Sequence, residues 1–405
     1  MNSMTRIAAL LSVGAALLTA PVSAQPLSED QIKSAQKILA ADGYGVDAAD
    51  GAWGEQSAAA LKAYERDWEL PETGVLDEDR LARLTRKHEA TKSQQFRTVE
   101  GCGVWNAYPQ PRETASWSGD CVDDKMSGEG VLVFRFVKQG AWKESRYQGA
   151  ILAGEYHGQG RYSYEDGGYY AGQYKDGKFH GEGVRKFANG NRYEGRFKDG
   201  KYHGRGDFTW ASGSRYEGQW ENGERHGQGI YAWANGNRYE GAFLGGKRHG
   251  LGVFTWASGA RYEGRWESGK KHGQGVHVWP NGDRYEGASV DDKRTGQGVH
   301  SYANGDHYRG HFKDNKFDGR GAYTWASGNR YEGQYRQGTR QGQGVMTWTN
   351  GDRYVGEYRN DKPHGLGTFY AANGQTDAGT WRKGCFRRKN GGWRTIGTTR
   401  KACGF

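Results

Sequence analysis

The sequence predicts a mainly β protein: a long single-layer antiparallel sheet of tandem β-hairpin repeats, preceded by a small three-helix module. Three observations predict it. A tyrosine returns every 23 residues at Tyr147, Tyr170, Tyr193, Tyr216, Tyr239, Tyr262, Tyr285, Tyr308, Tyr331 and Tyr354, and self-similarity at a fixed period marks a repeat architecture. Within each unit aromatic and polar residues alternate with period two, the pattern of half-buried strands. Glycine is 67 of 405 residues, proline only 7, and aromatics 13%, which sets the chain apart from Pro/Gly-rich disordered proteins and predicts a core of rings packed over glycines.

Residues 1–24 read as a signal peptide. Arg6 precedes an apolar run from Ile7 to about Ala20, and Val22-Ser23-Ala24 supplies small residues for cleavage before Gln25. The run is shorter than the ~20 residues a spanning helix needs. The expected destination is therefore outside the cytoplasm: in a bacterium, the periplasm or extracellular space, with association to the cell wall.

Residues 28–87 carry helical periodicity. Ile32, Ala35, Gln36 and Leu39 share one helical face, and Ala60, Leu61 and Tyr64 share another. Asp50-Gly51-Ala52-Trp53-Gly54 and Thr73-Gly74-Val75-Leu76-Asp77 are the turns, and Leu81 and Leu84 mark a third helix. Taken in order, Gln36, Gly43-Tyr44, Asp50-Gly51, Trp53-Gly54, Ala60, Tyr64, Leu70 and Gly74-Val75-Leu76-Asp77 resemble a peptidoglycan-binding-domain-like module. Glu55-Gln56-Ser57 stands where that family has Pro-x-Thr, and Tyr64-Glu65 where it has Phe-Gln. The resemblance implies contact with peptidoglycan, with Tyr44, Asp50, Trp53 and Tyr64 as candidate glycan contacts. A helical cap without a ligand is the alternative.

The polar stretch 88–100 reads as a linker. The module before it is acidic, so the excess positive charge of a chain with net charge +10 lies in the remainder. Such a surface suits anionic partners; export argues against nucleic acid and leaves anionic lipid as an alternative.

Each unit reads column by column from its tyrosine. Two residues on is glycine, from Gly149 to Gly356; four on is usually aromatic, as at Tyr174, Phe197 and Trp220. A glycine turn follows, as at Gly200 or Gly223, then His-Gly-x-Gly, alternating aromatics such as Phe208 and Trp210, and a closing Asn-Gly or Ser-Gly, as at Asn189-Gly190 and Ser212-Gly213. Asn-Gly between alternating runs signals a hairpin. Glycine weakens a strand unless a neighbouring ring occupies the space it leaves, which assigns the tyrosines to repeat packing. The opposite face alternates charges, such as Arg192/Glu194.

This unit resembles the MORN repeat (membrane occupation and recognition nexus) over about residues 117–380. The resemblance implies scaffolding, self-association or protein binding, and membrane-lipid contact. A degenerate unit begins at Trp117-Ser118-Gly119, and a last remnant has Asp377 in the tyrosine position. Ser289, Thr295 and Asp318 depart from the consensus. The expected domains are thus 1–24, 28–87, 88–100, an N-terminal cap over 101–146, ten repeats over 147–376, and a C-terminal cap over 377–405.

The cysteines lie at the ends of the array, Cys102 and Cys121, then Cys385 and Cys403. Distant ends leave Cys102–Cys121 and Cys385–Cys403 as the sensible disulfides, suited to an oxidising compartment. The column His157, His180, His203, His226, His249, His272 and His364 reads as turn residues: successive members stand ~10 Å apart, too far to share a metal ion. No nucleophile motif and no singled-out carboxylate pair appears. The expectation is a noncatalytic cell-envelope scaffold or adaptor without cofactor or metal. Its alternatives are a peripheral binder of anionic lipid and a wall-targeting accessory subunit of an enzyme.

Overall fold

The computed structural model describes residues 26–403 apart from 43, 69, 91–93, 107–109, 111 and 390, with no side chain described at 86–90, 94–96 or 105. The segment read as a signal peptide lies outside the described residues. The chain forms two compact units, one ending at Glu155 and one spanning Tyr156–Phe405.

The first unit opens with α1 (Glu29–Ala41), α2 (Glu55–Asp67) and α3 (Glu78–Ala90). A capping box starts α1: Ser28 Oγ accepts from the Gln31 amide and the Gln31 side chain accepts from the Ser28 amide. Ala35, Leu39, Ala60, Leu61, Tyr64 and Leu84 form the core. Two buried polar side chains shape the turns between the helices. Gln36 donates to Asp50, the Ala52 carbonyl and Ser57, and accepts from the Gly51 amide. Glu65 accepts from the Thr73 amide at 2.6 Å and the Gly74 amide at 2.9 Å, and pairs with Arg80 at 3.3 Å. Ser57 and Glu65, both departures from the family pattern, are therefore satisfied parts of this scaffold.

The stretch expected as a linker is largely structured. It contains the end of α3 and β1 (Gln94–Arg97), which pairs antiparallel with β2 (Gly103–Asn106). Backbone pairing needs no apolar periodicity, and for that reason this strand was invisible to a hydrophobic pattern. Next come β3 (Thr114–Trp117), β4 (Asp120–Val122) and a long hairpin of β5 (Lys125–Lys138) and β6 (Ala141–Leu152). Cys102 and Cys121 are bonded, with Cα atoms 5.7 Å apart.

The second unit is dominated by an open antiparallel meander running strand by strand from β7 (Glu155–Ser163) to β26 (Thr376–Trp381). Its backbone is organised around one row of glycines. Gly160 pairs with Gly172, Gly172 with Gly183, Gly183 with Gly195, and the row continues unbroken to Gly367 and Gly379. The repeat tyrosines lie flat across this row. A Cβ added at Gly229 would stand 2.5 Å from the Tyr216 hydroxyl and 2.6 Å from a ring carbon, so only glycine admits the ring.

Each tyrosine also ends in the same hydrogen bond. From Tyr147 to Tyr354 all ten hydroxyls donate to the carbonyl three residues on, at 2.6–3.2 Å. In the second unit that carbonyl lies where the hairpin ladder skips register, just after the glycine. The extra residues lie on the second strand around His-Gly, where Gly204 and Gly227 have φ of +63° and +55°. This is a β-bulge, which bends the strand. The histidine column is consequently within strands beside the bulge, not in the turns as expected.

The tight turns also differ in place. Positive φ at both Asp199 and Gly200, and at Asn222 and Gly223, gives the two-residue I′ geometry there. Asn189-Gly190 instead lies in the longer connection Phe187–Asn191, closed by the Phe187 amide on the Asn191 carbonyl at 2.9 Å. Side chains two residues before the tyrosine tie successive connections together: Asn191, Ser214, Asn237, Asp283, Asp306, Asn329 and Asp352 each accept from the amide twenty residues on, at 2.8–3.1 Å.

Tyr239→Phe should remove one hydrogen bond and keep the ring, costing about 1 kcal/mol. Gly252→Ala should cost more, because its Cβ would meet the Tyr239 ring at 2.6 Å. Repeat stability is set by nearest neighbours, so amide exchange should rise mainly in strands flanking the substitution. Equal protection in both variants and the parent would mean the glycine row has no packing role.

Candidate binding surfaces

On the helical module, Tyr44 and Tyr64 pack into the core at 5% and 3% exposure, edge to face at 5.5 Å. They support the module from inside, and Tyr64 also forms part of the wall of a cleft. Asp50 is exposed; hydrogen bonds from the Ala52 amide and from Gln36 hold its carboxyl below its ordinary pKa. Trp53 is half-buried and donates to the Gly74 carbonyl at 3.1 Å. The cleft is lined by Tyr64, Leu70, Pro71, Asp77, Arg80 and Arg83 among others. Of the four candidate contacts, Asp50 and Trp53 reach the surface.

Asp67, at the end of α2, is fully buried. It accepts from the Gln139 amide at 2.7 Å and the Gly140 amide at 2.8 Å, both in the β5–β6 turn. Tyr44 lies against the same carboxylate, which together with burial pushes the phenol well above its usual pKa, burial being the larger cause. The helices are thereby fastened to the hairpin. Sequence reading missed this contact because it joins residues 72 and 73 apart with no shared motif.

The repeat sheet presents two unlike faces. One carries exposed same-strand ion pairs: Arg192–Glu194, Arg238–Glu240, Arg261–Glu263, Arg284–Glu286 and Arg330–Glu332, at 2.7–2.8 Å. Such pairs contribute ~0–1 kcal/mol each. The other carries the rings. From Tyr170 on, wherever that position is aromatic, the tyrosine meets the ring four residues on at 5.0–5.4 Å and that of the next unit at 5.0–5.5 Å, nearly perpendicular. Ser289 interrupts this chain of rings and is buried in an aromatic's place.

A second ladder of rings on this face combines buried and half-open members, with Phe208, Phe254 and His300 buried and the tryptophans half-open. Phe208, Trp210, Tyr231, Trp233, Phe254, Trp256, His277, Trp279, His300 and Tyr302 follow one another at 4.1–5.4 Å. Burial, with Lys271 and Arg294 for His277 and Arg294 for His300, lowers both imidazoles to about 4, so they are neutral rings at pH 7.

Nine residues after each tyrosine the column reads Tyr156, Phe179, Tyr202, then Arg225, Arg248, Lys271, Arg294, then Phe317, Arg340 and Pro363. The four consecutive cations are half-buried on the ring face. Arg225 and Arg248 donate to the Gly246 and Gly269 carbonyls at 2.8 and 2.6 Å, and Arg294 to the Asn315 carbonyl at 2.9 Å. Burial lowers the pKa of Arg248, Lys271 and Arg294. Column counting exposes this row in the sequence, but its half-burial is visible only in the structure.

At the C-terminal end Trp381 is fully buried and stacks on Phe386 at 5.1 Å. Asp377, in the tyrosine position, pairs with Arg388 at 2.7 Å and Arg394 at 2.5 Å. Cys385 and Cys403 are bonded, with Cα atoms 5.8 Å apart. Among the described residues no three His, Cys, Asp or Glu side chains group to hold a metal ion.

A glycine-threaded meander with an attached helical module defines a tandem-repeat protein of the binding or scaffolding kind. Eleven MORN repeats match at residues 117–135 and in ten contiguous units over 147–376; the chain belongs to the MORN repeat family. Residues 28–84 match the peptidoglycan binding domain family. No curated protein matches the chain. Among solved structures, the TCP10 domain of Danio rerio CPAP in complex with a STIL peptide shares 10% identity, covering 49% of this chain and 82% of its own, at TM-score 0.28. The Drosophila melanogaster SAS-4 TCP domain, in complex with a proline-rich motif of Ana2, shares 13% over 44% and 84%, at TM-score 0.23. Similarity at this level carries no functional argument.

Burial alone would raise the Asp377 pKa, but hydrogen bonds from Arg388 and Arg394 hold it below its ordinary value. A depressed folded-state pKa gives stability that is present above the unfolded value, ~3.9, and is lost as pH falls through the folded value. Asp377→Asn should therefore cost about 2–3 kcal/mol at pH 7, and the cost should shrink below pH 4. Thermal unfolding of the C-terminal repeats across pH 2.5–7 checks this; a cost independent of pH would contradict it.

Proposed function

We propose that this protein is a noncatalytic scaffold of the cell envelope that holds peptidoglycan through residues 28–84 and presents its MORN sheet to protein partners or to further copies of itself. The observation that carries this reading is the Asp67 anchor. A module of the peptidoglycan-binding family is bolted through a buried carboxylate to the β5–β6 hairpin, as a wall attachment that must transmit position requires. Contact with glycan falls to Asp50, Trp53 and the cleft near Arg80. The signal-like N-terminus and the two disulfides support export to an oxidising compartment.

The mature chain should sediment with purified peptidoglycan, and a chain lacking residues 28–87 should not. Unchanged sedimentation of the shortened chain would reject wall contact through the helices. Asp67→Ala leaves two turn amides without their charged acceptor, costing about 1.5–3 kcal/mol of docking. Limited proteolysis should then cut near Gln139 and Gly140 several-fold faster, and an unchanged pattern would argue that the helices are held by something else.

A further inference from the structure

The row Arg225, Arg248, Lys271, Arg294 is at odds with ordinary packing. Its neighbours in the column, Phe179, Tyr202 and Phe317, show that a ring fits the position. Four successive cations there are half-buried; around Lys271 the charges of Arg248 and Arg294 oppose its ammonium, and the Asp292 carboxylate, which accepts from the Lys271 amide, is the one acidic group that favours it. Arg340, further along the column, has a carboxylate at 3.2 Å in Asp361. Among the described residues none of the four has an ion-pair partner: Arg225, Arg248 and Arg294 reach backbone carbonyls, which aim the guanidinium groups without neutralising them. Like charges desolvated in single file are costly, and broken packing rules of this kind mark functional positions.

The surroundings indicate what would neutralise them. Lys271 Nζ lies 5.9 Å from the Trp256 ring and Arg294 lies 5.9 Å from the Trp279 ring. Half-open tryptophans at 210, 233, 256 and 279 recur with the same 23-residue step, while Arg225 lies 4.9 Å from the Tyr231 ring and Arg248 4.2 Å from the Trp266 ring. Successive members of either row are two strands apart, ~10 Å, so four span about 30 Å. That step is close to the length of a disaccharide in an extended glycan. Tryptophan faces stack on the C–H faces of sugars, and one cation per unit among these rings meets one anionic group per step.

We propose that this row is a binding track for a linear acidic polysaccharide carrying carboxylates at regular intervals. A bilayer is the poorer fit: its headgroups form a plane, whereas these cations are recessed among rings, within reach of a single extended chain. The track uses no residue of the helical module and stands whether or not that module holds peptidoglycan.

The test uses the mature full-length chain and oligogalacturonates of defined length, with neutral malto-oligosaccharides for comparison. Affinity should rise with length until the oligomer covers the four steps and then level off, should fall with salt, and should exceed that for neutral oligomers at least tenfold. Arg248→Gln with Lys271→Gln should weaken binding tenfold or more. Arg238→Gln with Arg261→Gln removes the same charge from the opposite face and should change affinity less than twofold. Equal losses in the two double variants would reduce the effect to net charge and overturn the proposal. So would wild-type binding that ignores length or acidity, or binding to phosphatidylglycerol vesicles with none to the oligomers. The wild-type length series decides the matter even where a variant folds poorly.

Discussion

Everything in the repeat unit follows from a tyrosine lying across a pair of glycines. The ring needs the space of two absent side chains, one on its own strand and one on the next. The cross-strand register therefore cannot slip without driving the ring into a Cβ-bearing residue. Its hydroxyl closes the carbonyl at the bulge, satisfying a backbone acceptor at the point where the ladder skips. Burial pushes the hydroxyls of Tyr239, Tyr262 and Tyr285 up to about 12, so they remain donors through any physiological pH. One residue type thus sets register, fills the core and repairs the irregularity, which is why the period holds without insertion from Tyr147 to Tyr354.

That arrangement frees other columns. Once tyrosine, glycine and the aromatic four residues on secure the sheet, the column nine residues on can change from ring to cation without loss of register. Ser289 shows that even the aromatic column tolerates one interruption, because the glycines and the tyrosine at 285 persist beside it. The charged face constrains the fold little, since its Arg–Glu pairs are exposed. Variation with consequence is therefore concentrated on the ring face, where a substituted side chain is partly desolvated.

Much of the architecture was legible in the sequence because it is periodic. The tyrosine spacing implied the repeats, period-two alternation implied hairpins, and the terminal position of four cysteines implied the pairing that the structure contains. Trp117 fits as well: its indole donates to the Asp120 carbonyl at 2.9 Å and a Cβ at Gly130 would strike its ring, so it repeats the tyrosine's geometry in a degenerate unit. What escaped was aperiodic or made by backbone. The strand Gln94–Arg97 has no apolar alternation, the bulge that draws the histidines into strands depends on pairing register, and Asp67 reaches its partners across a separation no local motif encodes. Tyr44 and Tyr64 are aromatic members of the module's family pattern, a description that fits a core residue as well as a ligand contact; only burial separates the two.

The same distinction governs where recognition can reside. A side chain that every unit needs for packing cannot also be tuned to a ligand, because altering it costs the sheet. The ten tyrosines are in that position, almost wholly buried and spent on the glycines beneath them. The cation row is the reverse case: its column accepts rings elsewhere, its hydrogen bonds to turn carbonyls leave the positive charge itself unpaired, and it occupies four adjoining units and not all ten. A feature that a ring replaces in other units, confined to one stretch and costly to keep, is what selection for binding leaves on a scaffold whose remaining columns are held fixed by packing.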